Sequence, residues 1–363
     1  MKLVVFGLTL SSSWGNGHAT LWRGLCRALA RRGHRVVFFE RDVPYYAIHR
    51  DLRELHGTDL RLYESWEGVL PEARRQVADA DAAMVTSYCP DGVAASDLVL
   101  SADGPTSVFY DLDTPITLER LAAGEEVPYL PPEGLSGFDV VLSYTGGAAL
   151  SALRDRLGAR RVAPLYGSVD PEVHCPADPV PTFAGDLSYL GTYAEDRQEA
   201  LERLFLEPAR RLPAKRFVIA GAQYPVDFPW GPNVFFVRHL PPADHPAFFA
   251  SSPLTLNVTR AAMAIMGYCP SGRLFEAAAC GTAVLSDTWE GLDAFFEPGR
   301  EILLAGTGEE AIEAISLPGE EIRRIGRAAR ERTLAEHTAD RRAEEMLEIL
   351  RQTDVRQREG AAA

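Results

Sequence analysis

Short apolar runs alternate with amphipathic helical stretches along this chain, stop once at a turn-rich segment, and then resume. Residues 2–7 read as a buried strand, 18–32 as a helix with Leu21, Leu25, Ala28 and Leu29 on one face, and 35–40 (RVVFFE) as the next strand. Gly33 stops the helix between them. Apolar runs at 82–88, 106–110 and 139–143 continue the series. Residues 164–182 (PLYGSVDPEVHCPADPVPT) break it. Strand-like runs then return at 187–191, 216–220, 233–237, 254–258 and 282–286, with helices expected at 195–206, 246–251, 271–280 and 308–315. A long helical stretch over 319–352 follows, and the tail from Arg356 to Ala363 is expected to be disordered. Strand–helix alternation of this kind makes parallel sheets covered by helices. The expected fold is α/β, with two Rossmann-like, doubly wound domains meeting near residue 166. The domains are placed at 1–165 and 166–330, followed by a helix over 331–355 and the tail 356–363.

A chain of 363 residues with 46% hydrophobic content is large enough for two cores. Its formal net charge of −14 argues against a nucleic-acid partner, because binding to phosphate backbones needs basic surface. The five cysteines (Cys26, Cys89, Cys175, Cys269, Cys280) are odd in number and irregularly spaced, with no C-x-x-C pair. They suggest neither a disulfide framework nor a zinc site, and fit a reducing, cytoplasmic location. No run approaches 18 apolar residues, so no integral membrane segment is expected. The short apolar start is read as a strand in place of a signal peptide.

In the second half, Pro270-Ser271-Gly272 reads as a helix start. The Ser271 hydroxyl is placed to cap a free N–H, and the remaining N–H groups form an anion site suited to a diphosphate. Arg273 would add a bidentate grip on phosphate. Glu276, about one turn on, faces the same side and would accept the two hydroxyls of a ribose. The same residues also suit a capped, alanine-rich core helix in which Glu276 pairs with Arg273 or Arg260.

In the first half, Gly15, Asn16, Gly17 and His18 lie between the first strand and first helix. Glycines there admit close approach by a ligand, and His18 is either a general base or sugar contact, or a capping or solvent-facing residue. Gly15-x-Gly17-x-x-Thr20 with Glu40 further on imitates a dinucleotide fingerprint, the mark of an NAD(P)-dependent oxidoreductase. Thr20 replaces its third glycine, and Gly15 comes too late after the strand. Asp111 and Asp113 end another strand as a crevice-facing base or acceptor contact, or Asp113 caps the turn at Thr114-Pro115. Thr145-Gly146-Gly147 opens a helix and would meet the acceptor or the donor phosphate, or is a simple turn. Arg23, Arg27 and Arg31 recur every four residues, as an ion-paired face or as contacts for an anionic surface or acceptor.

The segment PSGRLFEAAACGTAVLSDTWEGLDAFFEPGREIL resembles the CgeB-like (spore-maturation-protein-like) glycosyltransferases, which in turn resemble the retaining GT-B enzymes of family 4. GHRVVFFERDVPYY, FYDLDTP, LSYTGG, LYGSVDP, YLGTYAEDRQ and LNVTR extend the resemblance over most of the chain. It implies a GT-B fold with an interdomain cleft and a C-terminal crossover helix, and an enzyme that transfers a hexosyl-type sugar from a nucleotide diphosphate donor without a metal or other cofactor. It carries the ribose role to Glu276, diphosphate contacts to Ser271, Gly272 and Arg273, and a phosphate-binding role to Arg197, with Arg260 a second basic candidate. His18 and Asp113 are the catalytic candidates. The acceptor, a sugar, natural product or polymer, would meet the N-terminal domain at Gly15, Asn16, Gly17, Asp111, Thr145, Gly146 and Gly147. One departure stands out. The retaining group carries two glutamates with seven residues between them, and the partner position of Glu276 is Tyr268. That loss also fits a catalytically silent nucleotide- or glycan-binding relative.

Overall fold

The computed structural model describes residues 1–361, with residues 354–361 described as backbone alone; the tail expected from 356 to 363 lies outside the fully described residues. The chain divides into two compact units. The first comprises residues 1–166 and the C-terminal helix from Ala339; the second runs from Gly167 to Thr338.

Unit 1 holds a seven-stranded sheet. Its strands are β1 (Lys2–Phe6), β2 (Arg35–Arg41), β3 (Thr58–Tyr63), β4 (Ala82–Thr86), β5 (Thr106–Asp111), β6 (Val140–Ser143) and β7 (Val162–Pro164). They lie in the order β3-β2-β1-β4-β5-β6-β7, every pair parallel. β1, β4, β5 and β6 are almost wholly buried, which is why they read as continuous apolar runs. Phe6 stacks on Phe39 and Phe109 packs on Phe138 in the core. The strand order reverses between β1 and β4, so the loops after these strands flank a switch point.

The helix His18–Arg31 buries Leu21, Trp22, Leu25 and Leu29 and leaves Arg31 to pair with Asp340 at 2.7 Å. The arginine row is ion-paired where the structure describes it, but Arg23 is not a surface residue. It is buried, with Nε donating to the Leu10 carbonyl and Nη1 and Nη2 donating to Asp51 at 3.0 and 2.7 Å. Burial alone would raise the Asp51 pKa, but the Arg23 and Ser13 hydrogen bonds outweigh it and hold the carboxyl down at about 2.

Unit 2 holds β8 (Leu187–Leu190), β9 (Phe217–Gly221), β10 (Val234–Arg238), β11 (Leu254–Asn257), β12 (Ala283–Ser286) and β13 (Leu303–Leu304). The order is β10-β9-β8-β11-β12-β13, again all parallel. Here the reversal falls between β8 and β11, and the loops after these strands carry Arg197 and Arg260. The single helix expected over 319–352 is two helices, Gly319–Glu336 and Ala339–Ala361. The break is at His337 and Thr338. Val169 N–H donates to the His337 carbonyl at 3.0 Å, and the His337 ring packs 4.6 Å from Phe275, so this point of the chain is tied to the body of unit 2. No described helix is long and apolar enough to cross a membrane.

Candidate active site

The helix Gly272–Ala279 begins as its sequence predicts. Ser271 is the N-cap, and its hydroxyl accepts from the Arg273 N–H at 3.4 Å. Leu274 to Ala279 are buried, so the alanines seat this helix tightly. Arg273 is half-buried and folds back over the sheet. Its Nε donates to the Leu190 carbonyl at the end of β8, Nη1 donates to Asn257 Oδ1 at 2.8 Å at the end of β11, and the guanidinium lies 5.0 Å from the Tyr189 ring centre. Desolvation lowers its pKa, and the neighbouring positive charge of Arg197 pushes the same way. A Cβ added to Gly191 would sit 3.0 Å from Arg273 Nη2, so the bare glycine keeps that edge of the guanidinium open.

Arg197 comes from the loop after β8. Nη1 donates to the Thr192 carbonyl at 3.2 Å, while its buried Nε has no hydrogen-bond partner. Arg260, the other basic candidate, donates to Asp196 at 2.9 Å. Two cations with donors to spare, Arg273 and Arg197, thus meet beside the capped helix start. A hydrogen-bonded network backs them. Asn257 Nδ2 donates to Ser286 Oγ at 3.0 Å, and Asp287 accepts from the Thr259 N–H and hydroxyl, both at 2.9 Å. Burial raises the Asp287 pKa against these bonds.

Tyr268, where the retaining group has its first glutamate, has φ of 46° and donates its N–H to the Glu290 carbonyl at 2.7 Å. Its ring covers Gly291, where a Cβ would come within 2.5 Å of it. Glu276 is buried on the Gly272–Ala279 helix, 3.9 Å from His174 Nε2 and 3.7 Å from His245 Nδ1. Its carboxylate lies against these two histidines, a contact the sequence alone did not announce. Nothing in the sequence pattern links the two histidines, which stand 71 residues apart.

Unit 1 brings His18 and Asp113 together at 3.8 Å. The Asp113 side chain does not cap the helix Thr114–Ala122 that follows it; the Tyr88 hydroxyl donates to its Oδ2 at 2.8 Å. Tyr88, at the end of β4 with φ of 66°, also faces the His18 ring at 5.9 Å and was not singled out from the sequence. Asp111 is fully buried. Its Oδ1 accepts from the Asp113 N–H and from Thr117, and Oδ2 has no hydrogen-bond partner. Burial raises its pKa to about 6. Asp111 therefore supports the backbone of Asp113 from below and does not face solvent.

That shift sets a stability slope. A carboxyl whose folded pKa lies above its unfolded value binds more protons when folded, so stability falls as pH rises from about 4 to about 6 and is level above that. A shift from the ordinary carboxyl value of 3.8 to about 6 corresponds to roughly 3 kcal/mol for a fully buried group. Urea unfolding across this window should show the fall, and Asp111→Asn should remove this part of it. An unchanged slope in the variant would mean Asp111 is already ionised in the fold.

Of the loop residues, Gly15 has φ of 60°, and Asn16 Oδ1 accepts from the His18 N–H at 2.9 Å, so Asn16 tethers the helix start. Gly17 is the N-cap and has open space where a Cβ would be. Thr145 is buried, with its N–H donating to Ser143 at 3.1 Å. A Cβ on Gly146 would fall 2.1 Å from the Tyr166 hydroxyl, so that glycine serves packing, and Gly147, with φ of 54°, starts the next helix. Glu40, the residue that would hold a dinucleotide ribose, is spent. Its carboxylate accepts from Thr9 Oγ1, the N–H groups of Leu10 and Ser11, and Ser11 Oγ at 2.5–3.0 Å.

Two doubly wound parallel sheets of this kind match the GT-B fold of solved structures. Sucrose-phosphate synthase (tll1590) from Thermosynechococcus elongatus superposes with a TM-score of 0.68 at 15% identity, over 98% of this chain and 99% of that one. Anabaena Alr3699/HepE in complex with UDP-glucose gives 0.67 at 14%, over 97% and 100%. S. aureus TarM, as a mutant in complex with fondaparinux, alpha-GlcNAc-glycerol and UDP, gives 0.67 at 8%, over 96% and 99%. Residues 197–348 match the family described as Glycosyl transferase-like. No curated protein matches the chain.

Proposed function

We propose that this protein is a glycosyltransferase that moves a sugar, of hexosyl type, from a nucleoside diphosphate donor held by unit 2 to an acceptor met by unit 1. The observation that carries this is the meeting of Arg273 and Arg197 at the Ser271-capped start of a buried helix, on the ends of β8 and β11. Helix N–H groups and guanidinium donors there are fixed before a ligand arrives, so they stabilise the negative charge that grows on a leaving diphosphate without reorganising. In this reading the positive charge comes from the protein, and the diphosphate needs no metal. Glu276 accepts the ribose hydroxyls. In unit 1, His18 takes or gives the acceptor proton while Asp113, held by Tyr88, orients the imidazole. The sequence blocks support a place among the CgeB-like enzymes, and five free cysteines support work in a reducing cytoplasm.

The test is thermal unfolding with UDP, GDP, TDP, ADP and NAD(P), with and without magnesium. One nucleoside diphosphate at 100 times its Kd should stabilise the fold by about 2.7 kcal/mol, raising the Tm. The shift should not need magnesium, and Glu276→Ala should lose most of it. A shift with NAD(P) alone, or with no nucleotide, would sink the reading.

A further inference from the structure

His174, His245 and Glu276 come from three distant stretches of unit 2 and bring one ligand atom each within 4.8 Å of the others. Each belongs to a fixed element. His174 is 3% exposed and follows a turn in which its N–H donates to the Asp170 carbonyl at 2.9 Å. His245 opens the helix His245–Ala250, and Glu276 lies inside the helix Gly272–Ala279. The nearest approaches are 3.4 Å between His174 Nε2 and His245 Nδ1, 3.9 Å from His174 Nε2 to the carboxylate, and 3.7 Å from His245 Nδ1 to it.

The tautomer of His245 follows from its other side. Its Nε2 lies 3.3 Å from the Leu240 carbonyl oxygen. A carbonyl can only accept, so Nε2 carries the proton and the Nδ1 lone pair of the neutral ring faces Glu276 and His174. The His174 Nε2 at 3.4 Å is one group that can meet that lone pair with a proton, and a divalent cation drawn in by the buried carboxylate is another. The separations fit such a cation. Bonds of about 2.0–2.2 Å to imidazole and carboxylate place ligand atoms roughly 3.4 Å apart; the two imidazole nitrogens already stand at 3.4 Å, and the carboxylate, with Oε1 nearer His174 and Oε2 nearer His245, would turn to bring one oxygen in from within 4.8 Å. A ring N–H held by a backbone carbonyl is also the usual outer support of a metal-bound histidine.

We propose that His174, His245 and Glu276 form a binding site for a divalent transition metal of the zinc class. Two imidazoles and one carboxylate suit zinc and disfavour magnesium, which takes oxygen ligands. The site shares Glu276 with the proposed ribose contact but takes neither Ser271 nor Arg273, and it does not rest on the transfer reading. It departs from the metal-free expectation of the sequence and draws on the carboxylate assigned above to the ribose, so zinc and a nucleotide compete for Glu276.

Isothermal titration of chelator-treated protein with zinc chloride should give one site per chain, and cobalt(II) should show the intense visible bands of a tetrahedral ion. Magnesium chloride should give no heat. His174→Asn and His245→Gln, checked for an unchanged unfolding transition, should each weaken zinc by more than the roughly 10–100-fold that losing an outer-shell partner costs. Both should keep the UDP-induced Tm shift, if UDP is the donor nucleotide. Absence of zinc binding, or zinc binding untouched in both variants, overturns the site. A zinc site without any nucleotide shift in the wild-type protein counts against the transfer reading alone, and a nucleotide shift without zinc binding counts against the metal site alone.

Discussion

Arg273→Ala should lower kcat for sugar transfer by about 10²–10³-fold, the loss seen when one fixed donor to a developing anion is removed. The argument is one of geometry. Nε and Nη1 are committed to the Leu190 carbonyl and to Asn257, and the ring of Tyr189 lies beneath the group. These contacts leave Nη2 beside Gly191, whose missing Cβ would fall 3.0 Å from it, next to the Tyr189 hydroxyl. Arg273→Lys should recover only part of the rate, because an ammonium keeps the charge but cannot hold two acceptors and a phosphate in one plane. The alanine variant also leaves the Leu190 carbonyl and Asn257 Oδ1 without this donor, at a cost of about 1–3 kcal/mol, so rates are to be compared at a temperature where both proteins are folded. A variant that stays folded and retains kcat/KM within about threefold, some 0.6 kcal/mol of transition-state stabilisation, would remove Arg273 from the chemistry.

The capped helix start and its arginine were legible because they are local. A cap, a glycine, an arginine and a glutamate within six residues leave a pattern on the chain. The surroundings of Glu276 were not legible, since His174 and His245 reach it through the fold alone. Tyr88 was hidden for a related reason. It follows an apolar strand as one more aromatic residue, and only its positive φ and its bond to Asp113 set it apart. Arg260, a basic residue at a strand end in the sequence, is paired with Asp196 in the fold, a contact that no local pattern announces.

The sheets were legible where both faces are buried. β1, β4, β9 and β12 are apolar nearly throughout, and a run of that kind needs no partner to be recognised; β5 (TSVFYD) and β11 (LTLN) are wholly buried and keep an apolar run or apolar alternation within them. β3 (TDLRLY) was missed because it is an edge strand, paired only with β2 and only half-buried. Its polar residues lie where a central strand would carry valine. The break at His337 was missed because the helical pattern resumes at Ala339 in nearly the same register. What ends the first helix is a tertiary contact, the bond from Val169, and no local stop residue.

Glu40→Ala should destabilise the protein by about 3–5 kcal/mol, since several buried donors lose their acceptor at once at about 1–3 kcal/mol each. The carboxylate is 1% exposed and closes the loop after β1 from the end of β2. Four donors converge on it, two of them backbone N–H groups that have no other route to satisfaction once the side chain is cut away. Glu40→Gln keeps the shape but turns one acceptor into a donor facing other donors, so it should lose a large part of the same amount. Urea unfolding at pH 7 measures both. The same variants separate two readings of the first βα turn. A glutamate that held a dinucleotide ribose would, when removed, abolish cofactor binding and leave the fold intact. A glutamate that clamps its own loop unfolds the first unit more readily, and the nucleoside diphosphate still binds unit 2 at temperatures where the variant is folded. A change of less than about 1 kcal/mol, in the range of an ordinary surface substitution, would mean that the loop leading to His18 is held by something other than Glu40.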